Sequence, residues 1–376
     1  MRTIRIIRKG MASLTAVWLI TAPVTSAFAA GEASLEDLNK RVEALEKASG
    51  GTPGLGNPSN SVVAGLGNPK LGLLLQLRYN HDETSTVFDS FTGRRAEISI
   101  DGAIVPKKVI YRVMIDPFIA KTTNPTIVQD AFIGLNYIPA ADFTFGQFKF
   151  PQNLEGRWGS SDLDFARRAE ITKAFGDLRD YTAQFGATKI PLGNAMTSAG
   201  PIWAEYALAL VQGAGRNTAA NRQHKDFAGR GGFQVGPVWM GANGYLGDEP
   251  TGSRTRVGTE FKVAEGHWKF QAEYLYGATE PGGVNAPATP GDSVAQEGYY
   301  ALFNYRCGML RPGIRWQSFD FNKNTPNNRN NWFTGGLDIF LAEGSKNKVT
   351  LNYTIKMEEG PAVKNNEGIV QYQIAF

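Results

Sequence analysis

The sequence is short of cysteine and histidine. Cys307 is the one cysteine, so an intramolecular disulfide framework is excluded. His81, His224 and His267 lie far apart and lack the spacing of a zinc-binding helix. No Gly-x-Ser-x-Gly or comparable nucleophile–base cluster accompanies them. The sequence therefore offers no catalytic residue, metal site or cofactor site, and it argues against an enzyme.

Charge of one sign is scarce as well. The 376 residues hold 39 Lys+Arg against 35 Asp+Glu, but Arg2, Arg5, Arg8 and Lys9 fall in the first thirty residues, which carry no acid. Beyond them the balance is 35 against 35. That excludes the persistent cationic face of a nucleic-acid binder. Long apolar runs are also missing. Residues 11–20 form an apolar stretch too short for the ~20 residues of a membrane-spanning helix. It follows the basic residues 2–9 and precedes Ser26-Ala27-Phe28-Ala29-Ala30, a small-x-small pattern. The three-part order reads as a signal peptide over 1–30, cleaved near Ala29 or Ala30. A protein exported in this way that crosses a membrane must do so as a closed sheet.

What is abundant is glycine, 43 residues, with 11% aromatics, a mixture that fits many strands joined by turns. Two short segments precede the strands. Residues 31–48 place Leu35, Leu38, Val42 and Leu45 on one seam, a short heptad helix able to coil when copies are brought together. Residues 49–69 form a Gly/Pro-rich linker in which Gly54-Leu55-Gly56-Asn57-Pro58 recurs as Gly65-Leu66-Gly67-Asn68-Pro69.

From residue 70 to 376 the period is two. In Val349-Thr350-Leu351-Asn352-Tyr353-Thr354-Ile355-Lys356-Met357 the odd positions are apolar and the even ones polar. Sixteen such runs are predicted: 71–80, 92–102, 107–117, 127–138, 141–149, 180–189, 201–211, 225–235, 238–246, 253–263, 267–278, 296–306, 310–319, 331–341, 347–358 and 367–376. Most have about ten residues, the length of a tilted barrel strand. Connections after even-numbered runs are tight, with 190–200 the exception. Those after odd-numbered runs are long. Loops sorted to one rim are the outer-membrane pattern, and a soluble sandwich has no reason to show it. The final run sets Val370, Tyr372, Ile374 and Phe376 on one face. Tyr79, Tyr137, Trp203, Trp239, Trp316 and Trp332 near run ends are candidates for interfacial girdles. The expected fold is an all-β, 16-stranded antiparallel transmembrane barrel in the outer membrane of a Gram-negative cell. Sixteen strands leave an aqueous lumen, whereas a plugged receptor needs 22.

The longest connection, 150–179, mixes aromatics with charges of both signs. A loop of this length is usually functional. Folded inward it would narrow the pore and set selectivity, through Arg157, Arg167, Arg168 and Lys173 on one side and Glu155, Asp162, Asp164 and Glu170 on the other. Arg112, Arg230, Arg254, Arg256 and Arg315 lie on the polar faces of their runs, together with Glu97, Asp101, Asp116, Glu205, Glu260 and Glu273. Arginine keeps its charge and donates in a fork that fits phosphate or carboxylate.

Several stretches resemble the phosphate-selective porins O and P. They are Gly93-Arg94-Arg95-Ala96-Glu97-Ile98, Val128-Gln129-Asp130-Ala131-Phe132-Ile133-Gly134-Leu135, Phe145-Gly146-Gln147-Phe148-Lys149 running through Leu154-Glu155 to Ser160-Ser161, and Phe270-Gln271-Ala272-Glu273-Tyr274-Leu275 with Gly298-Tyr299-Tyr300-Ala301. With the closing strand they span roughly residues 70–376. The resemblance implies a trimeric sixteen-stranded channel for small anions, phosphate or polyphosphate among them, with no cofactor. Arg95, Asp130 and Lys149 match family positions. Where the family carries Gly-Arg-Leu-Gln in its first strand, this chain has Leu73-Leu74-Leu75-Gln76, with Leu74 in place of the arginine. The expected partners are small anionic solutes, outer-membrane lipid and two further copies of the chain. The competing reading is a general, non-selective porin that also tethers the envelope, its heptad reaching toward peptidoglycan.

Overall fold

The computed structural model describes residues 69–84, 89–119, 127–175, 179–197, 200–220, 224–249, 252–279 and 294–376. The signal peptide, the heptad and most of the Gly/Pro linker lie outside these residues.

The alternating runs become sixteen strands. The first eight are β1 (Lys70–Asp82), β2 (Asp89–Val105), β3 (Val109–Ile115), β4 (Val128–Leu135), β5 (Asp142–Lys149), β6 (Arg179–Thr197), β7 (Gly200–Val211) and β8 (Asp226–Val235). The second eight are β9 (Val238–Glu249), β10 (Gly252–Glu265), β11 (Trp268–Thr279), β12 (Val294–Tyr305), β13 (Leu310–Asp320), β14 (Arg329–Phe340), β15 (Lys348–Glu358) and β16 (Glu367–Ala375). Each strand pairs antiparallel with its sequence neighbours, and β1 pairs with β16 from Leu74↔Ala375 to Asp82↔Glu367, closing the barrel. No strand edge is left open, which is what lets a sheet sit in hydrocarbon.

The two faces are inverted relative to a soluble protein. Ile98, Val257, Phe303, Leu351 and Val370 are exposed on the outside, while Gln76, Gln147, Gln271, Glu260, Arg315 and Gln373 are buried within. Even-to-odd turns are tight. Between β10 and β11 only Gly266 and His267 intervene, and Gly266 has φ 55°. A side chain there would meet nothing within 4 Å, so the left-handed backbone, not space, calls for glycine.

Two sequence expectations are corrected. The segment 190–200 is not a long connection. β6 runs on to Thr197, which pairs with Gly200, and the register skips at Ala187/Ile190 and Pro191/Met196 absorb a stretch that breaks alternation. Trp239 and Trp332 are not girdle residues. Both point inward, Trp239 donating to Glu260 Oε2 at 3.1 Å and Trp332 packing in an internal apolar cluster. Tyr137 and Trp316 do face outward and are exposed.

Candidate functional site

The connection after β5 folds into the barrel. It carries two short helices, α1 (Leu154–Arg157) and α2 (Glu170–Phe175). Asn153 caps α1 by accepting the Gly156 N–H at 2.7 Å. At the loop's root, Lys149 donates to the carbonyls of Gly156 and Trp158 at 2.8 and 2.9 Å. Glu273 on β11 accepts the Leu154 N–H at 2.8 Å, and Glu155 turns back to accept the Ala169 N–H at 2.8 Å.

Apolar packing holds the far side. Phe165, Ala169, Ile171 and Phe175 of the loop cluster with Leu275, Tyr300, Leu302, Phe319 and Trp332 of β11–β14. Gly277 and Gly298 make room: a Cβ at either would stand 2.3 Å from Phe175 or Ile171. Fully burying one such side chain contributes roughly 1.5–3 kcal/mol. The loop's middle reaches the short-turn rim. Asp162 pairs with Lys346 at 2.7 Å, and Asp164 sits between Lys269 at 2.5 Å and Arg311 at 3.1 Å. Burial alone would raise the Asp164 carboxyl, but Lys269 and then Arg311 outweigh it and hold it below its usual range.

The charged residues singled out in the sequence divide into two groups. One group is committed to the loop or to buried pairs. Arg256 donates to Phe175 O at 2.9 Å, Arg315 to Arg167 O at 2.8 Å and Arg168 to Trp158 O at 2.8 Å. Arg230 grips Glu260 with three hydrogen bonds of 2.6–3.0 Å and also bonds Glu205. Arg254 donates to the Tyr245 hydroxyl at 2.7 Å and lies 3.4 Å from Asp226. Asp130 accepts from Arg179 at 2.7 Å. Arg95 is buried, bonded to Gln76 at 3.1 Å and to Glu97 at 3.1 Å. It faces inward because Arg94 is the extra residue of a bulge: Gln76 pairs with Arg95 and Leu77 with Gly93.

The second group keeps contact with water. Arg112 lies 3.5 Å from both Asp101 and Asp130, Arg157 pairs with Glu205 at 2.5 Å, Arg167 with Glu367, and Lys173 with Glu170 at 2.5 Å. Their side chains are 34–41% exposed, against 3–13% for Arg230, Arg254 and Arg315. The loop thus separates arginines that build it from arginines that solvent and solutes can meet.

Lys262 and Leu275 were not singled out beforehand, and for Arg78, beside the Leu74 departure, alternation left the facing open. Lys262, on the inward face of β10, forms no ion pair among the described residues; its ammonium stands 5.8 Å from the Trp158 ring centre, with Lys269 at 3.6 Å from the same ring. Arg78 is buried and donates to Gln371 at 2.6 Å and to the Ala166 carbonyl. Leu275 was legible as the apolar exception on the polar face of β11, and that exception marks where the loop docks.

The barrel superposes on solved outer-membrane channels. The anion-selective porin from Comamonas acidovorans matches with a TM-score of 0.58 at 8% identity, over 82% of this chain and 99% of that one. OmpF of Salmonella typhi, in complex with daunomycin, matches at 0.57 and 12% identity, over 83% and 98%. The outer membrane channel DcaP of Acinetobacter baumannii matches at 0.56 and 13% identity, over 82% and 97%. No family model matches the chain, and no curated protein matches it. The likeness establishes the fold, a closed sixteen-stranded barrel.

Proposed function

We propose that the chain is an outer-membrane porin, a water-filled channel for passive diffusion of small hydrophilic solutes with a preference for small anions, and that it works as a homotrimer without enzymatic activity. The observation that carries this reading is the closed barrel with a polar inner face, narrowed by an inserted loop. Selectivity is read from the charges that remain free to act. Among the described residues Lys262 forms no ion pair, and Arg112 and Arg157 stay partly hydrated beside their acids. A trimer form of OmpT of Vibrio cholerae shares the fold at a TM-score of 0.54 and 9% identity, which supports the assembly.

The geometry favours a modest preference for anions in general over a dedicated phosphate ladder. Leu74 faces inward at the ladder position, and most inward arginines already hold carboxylates or loop carbonyls. Reversal potentials in a potassium chloride gradient across planar bilayers test the reading. Chloride should permeate more readily than potassium, with weak phosphate block. Equal permeabilities would remove the anion preference and leave the porin. An absence of conductance would remove the porin. A strong phosphate block would restore the dedicated phosphate channel.

A further inference from the structure

The inserted loop leaves a cavity of about 280 Å³ between α2 and the long-loop halves of β13–β16. Its floor is closed. The Ala166 N–H donates to Asn352 Oδ1 at 2.7 Å, and the Ala166 carbonyl accepts from Arg78. Phe165 fills the space beside Gly336, where a Cβ would stand 2.9 Å from its ring. Below that, Lys348 donates to Leu163 O at 2.8 Å. A solute entering here must leave the way it came, so the cavity suits retention and not transit.

The lining indicates what it would retain. Arg167 is paired with Glu367, and Lys173 with Glu170. Among the described residues Lys356 has no ion pair and the Nε atoms of Arg167 and Arg315 have no hydrogen-bond acceptor, the other end of the Arg315 guanidinium lying 3.7 Å from Glu155. The facing carboxylate, Glu358, already accepts from Asn365. The balance left over is one of unused cationic donors, matched to a single negative group. Around it stand neutral groups that both donate and accept, Gln317, Asn330 and Thr354, with the apolar face of Trp332. An inorganic anion uses only the donors of such groups, whereas a chain of hydroxyls uses their donors and acceptors alike. At about 30 Å³ per water the volume equals roughly nine waters, enough for a six-carbon solute.

We propose that this cavity is a binding site for a small polyhydroxylated carboxylate, a sugar acid, held in the outer vestibule beside the pore. The carboxylate meets Lys356 and Arg315, the hydroxyls meet the amides, and the ring lies against Trp332. The site is independent of pore selectivity: equal permeabilities in the bilayer leave it standing, whereas loss of the barrel ends both.

Calorimetric titration of the full-length, detergent-solubilised protein with D-glucuronate, D-glucose and acetate is the test. Glucuronate should bind saturably in the millimolar range, with glucose and acetate each at least about tenfold weaker. Lys356→Met should weaken glucuronate binding about tenfold or more and Asn330→Leu several-fold, in protein that still migrates as a folded barrel before boiling. No saturable glucuronate binding, equal binding of glucose or of acetate, or unchanged affinity in both variants would overturn the assignment.

Discussion

Lys262 and Arg168 are both cationic residues beside the inserted loop, and they do opposite work. Arg168 is buried and donates to the loop's own carbonyls, so its charge is spent on holding Trp158 and Glu155 in place. Lys262 forms no ion pair among the described residues, and its ammonium stands 5.8 Å from the Trp158 ring centre. Coulomb energy falls with the effective dielectric, so an unpaired charge at a narrow point acts on passing ions more strongly than one at a wet rim. Lys262→Glu should therefore shift the reversal potential toward cations with the barrel intact. Arg168→Ala should act on structure instead. Losing a charged buried hydrogen bond costs about 1.5–3 kcal/mol, and limited proteolysis should show the 150–175 segment cut faster than in wild type. An unchanged reversal potential in Lys262→Glu would remove that residue from selectivity. Direction was legible in the sequence here and partnership was not. Strand parity alone turns Arg112, Arg230, Arg254, Arg256 and Arg315 inward. That Arg315 would bond residue 167 of the loop, or Arg230 on β8 grip Glu260 on β10, depends on segments that are not neighbours in the chain, and alternation carries no information on them.

At the scale of the element, the inserted loop is held by an apolar face at one end and a charged tip at the other. Ile171 is fully buried against the wall. Ile171→Ala should cost about 2–5 kcal/mol of that packing, seen as larger fluctuations in single-channel current. The tip responds to acid. Lys269 and Arg311 hold the Asp164 carboxyl low, so its contribution is fully present above the ordinary carboxylate value of about 3.9 and is lost as pH falls through the lower folded value. Channel noise in wild type should stay flat from neutral pH down to about 4 and rise only below it. Asp164→Asn should show the acid behaviour already at neutral pH, and identical pH profiles in the two proteins would refute the latch. The strands were readable because one face is apolar over ten residues. The length and mixed charge of 150–179 pointed to an ordered inward loop, but its docking place was marked only by residues that break the alternation, Leu275 and Leu302 among polar neighbours and glycines at 277 and 298.

Over the whole molecule, the polar side chains that a soluble protein would show to water are sealed within a ring of sixteen strands. A sheet closed in this way has no frayed edge from which unfolding can start. The protein should run on SDS gels as a compact oligomer until boiled and as an extended monomer afterwards. A monomer in unboiled samples would count against the trimer and not against the barrel. Deletion of residues 31–50, whose heptad was read from sequence alone, should leave conductance per pore near wild type.

The closure itself has a consequence for how the molecule is made. β1 and β16 are nearly 300 positions apart in the chain, and they meet along the seam from Leu74↔Ala375 to Asp82↔Glu367. At the seam Gln76 donates to Gln373 Oε1 at 2.7 Å, and each glutamine also donates to the loop, Gln76 to Ser160 O at 3.2 Å and Gln373 to Ser161 O at 3.1 Å. The loop is a clasp across the join. The chain must be made through residue 375 before the ring can shut, and the paired glutamines can grip Ser160 and Ser161 together only once β1 and β16 have met. Until that seam joins, the molecule is an open hoop whose two free edges invite pairing with another chain.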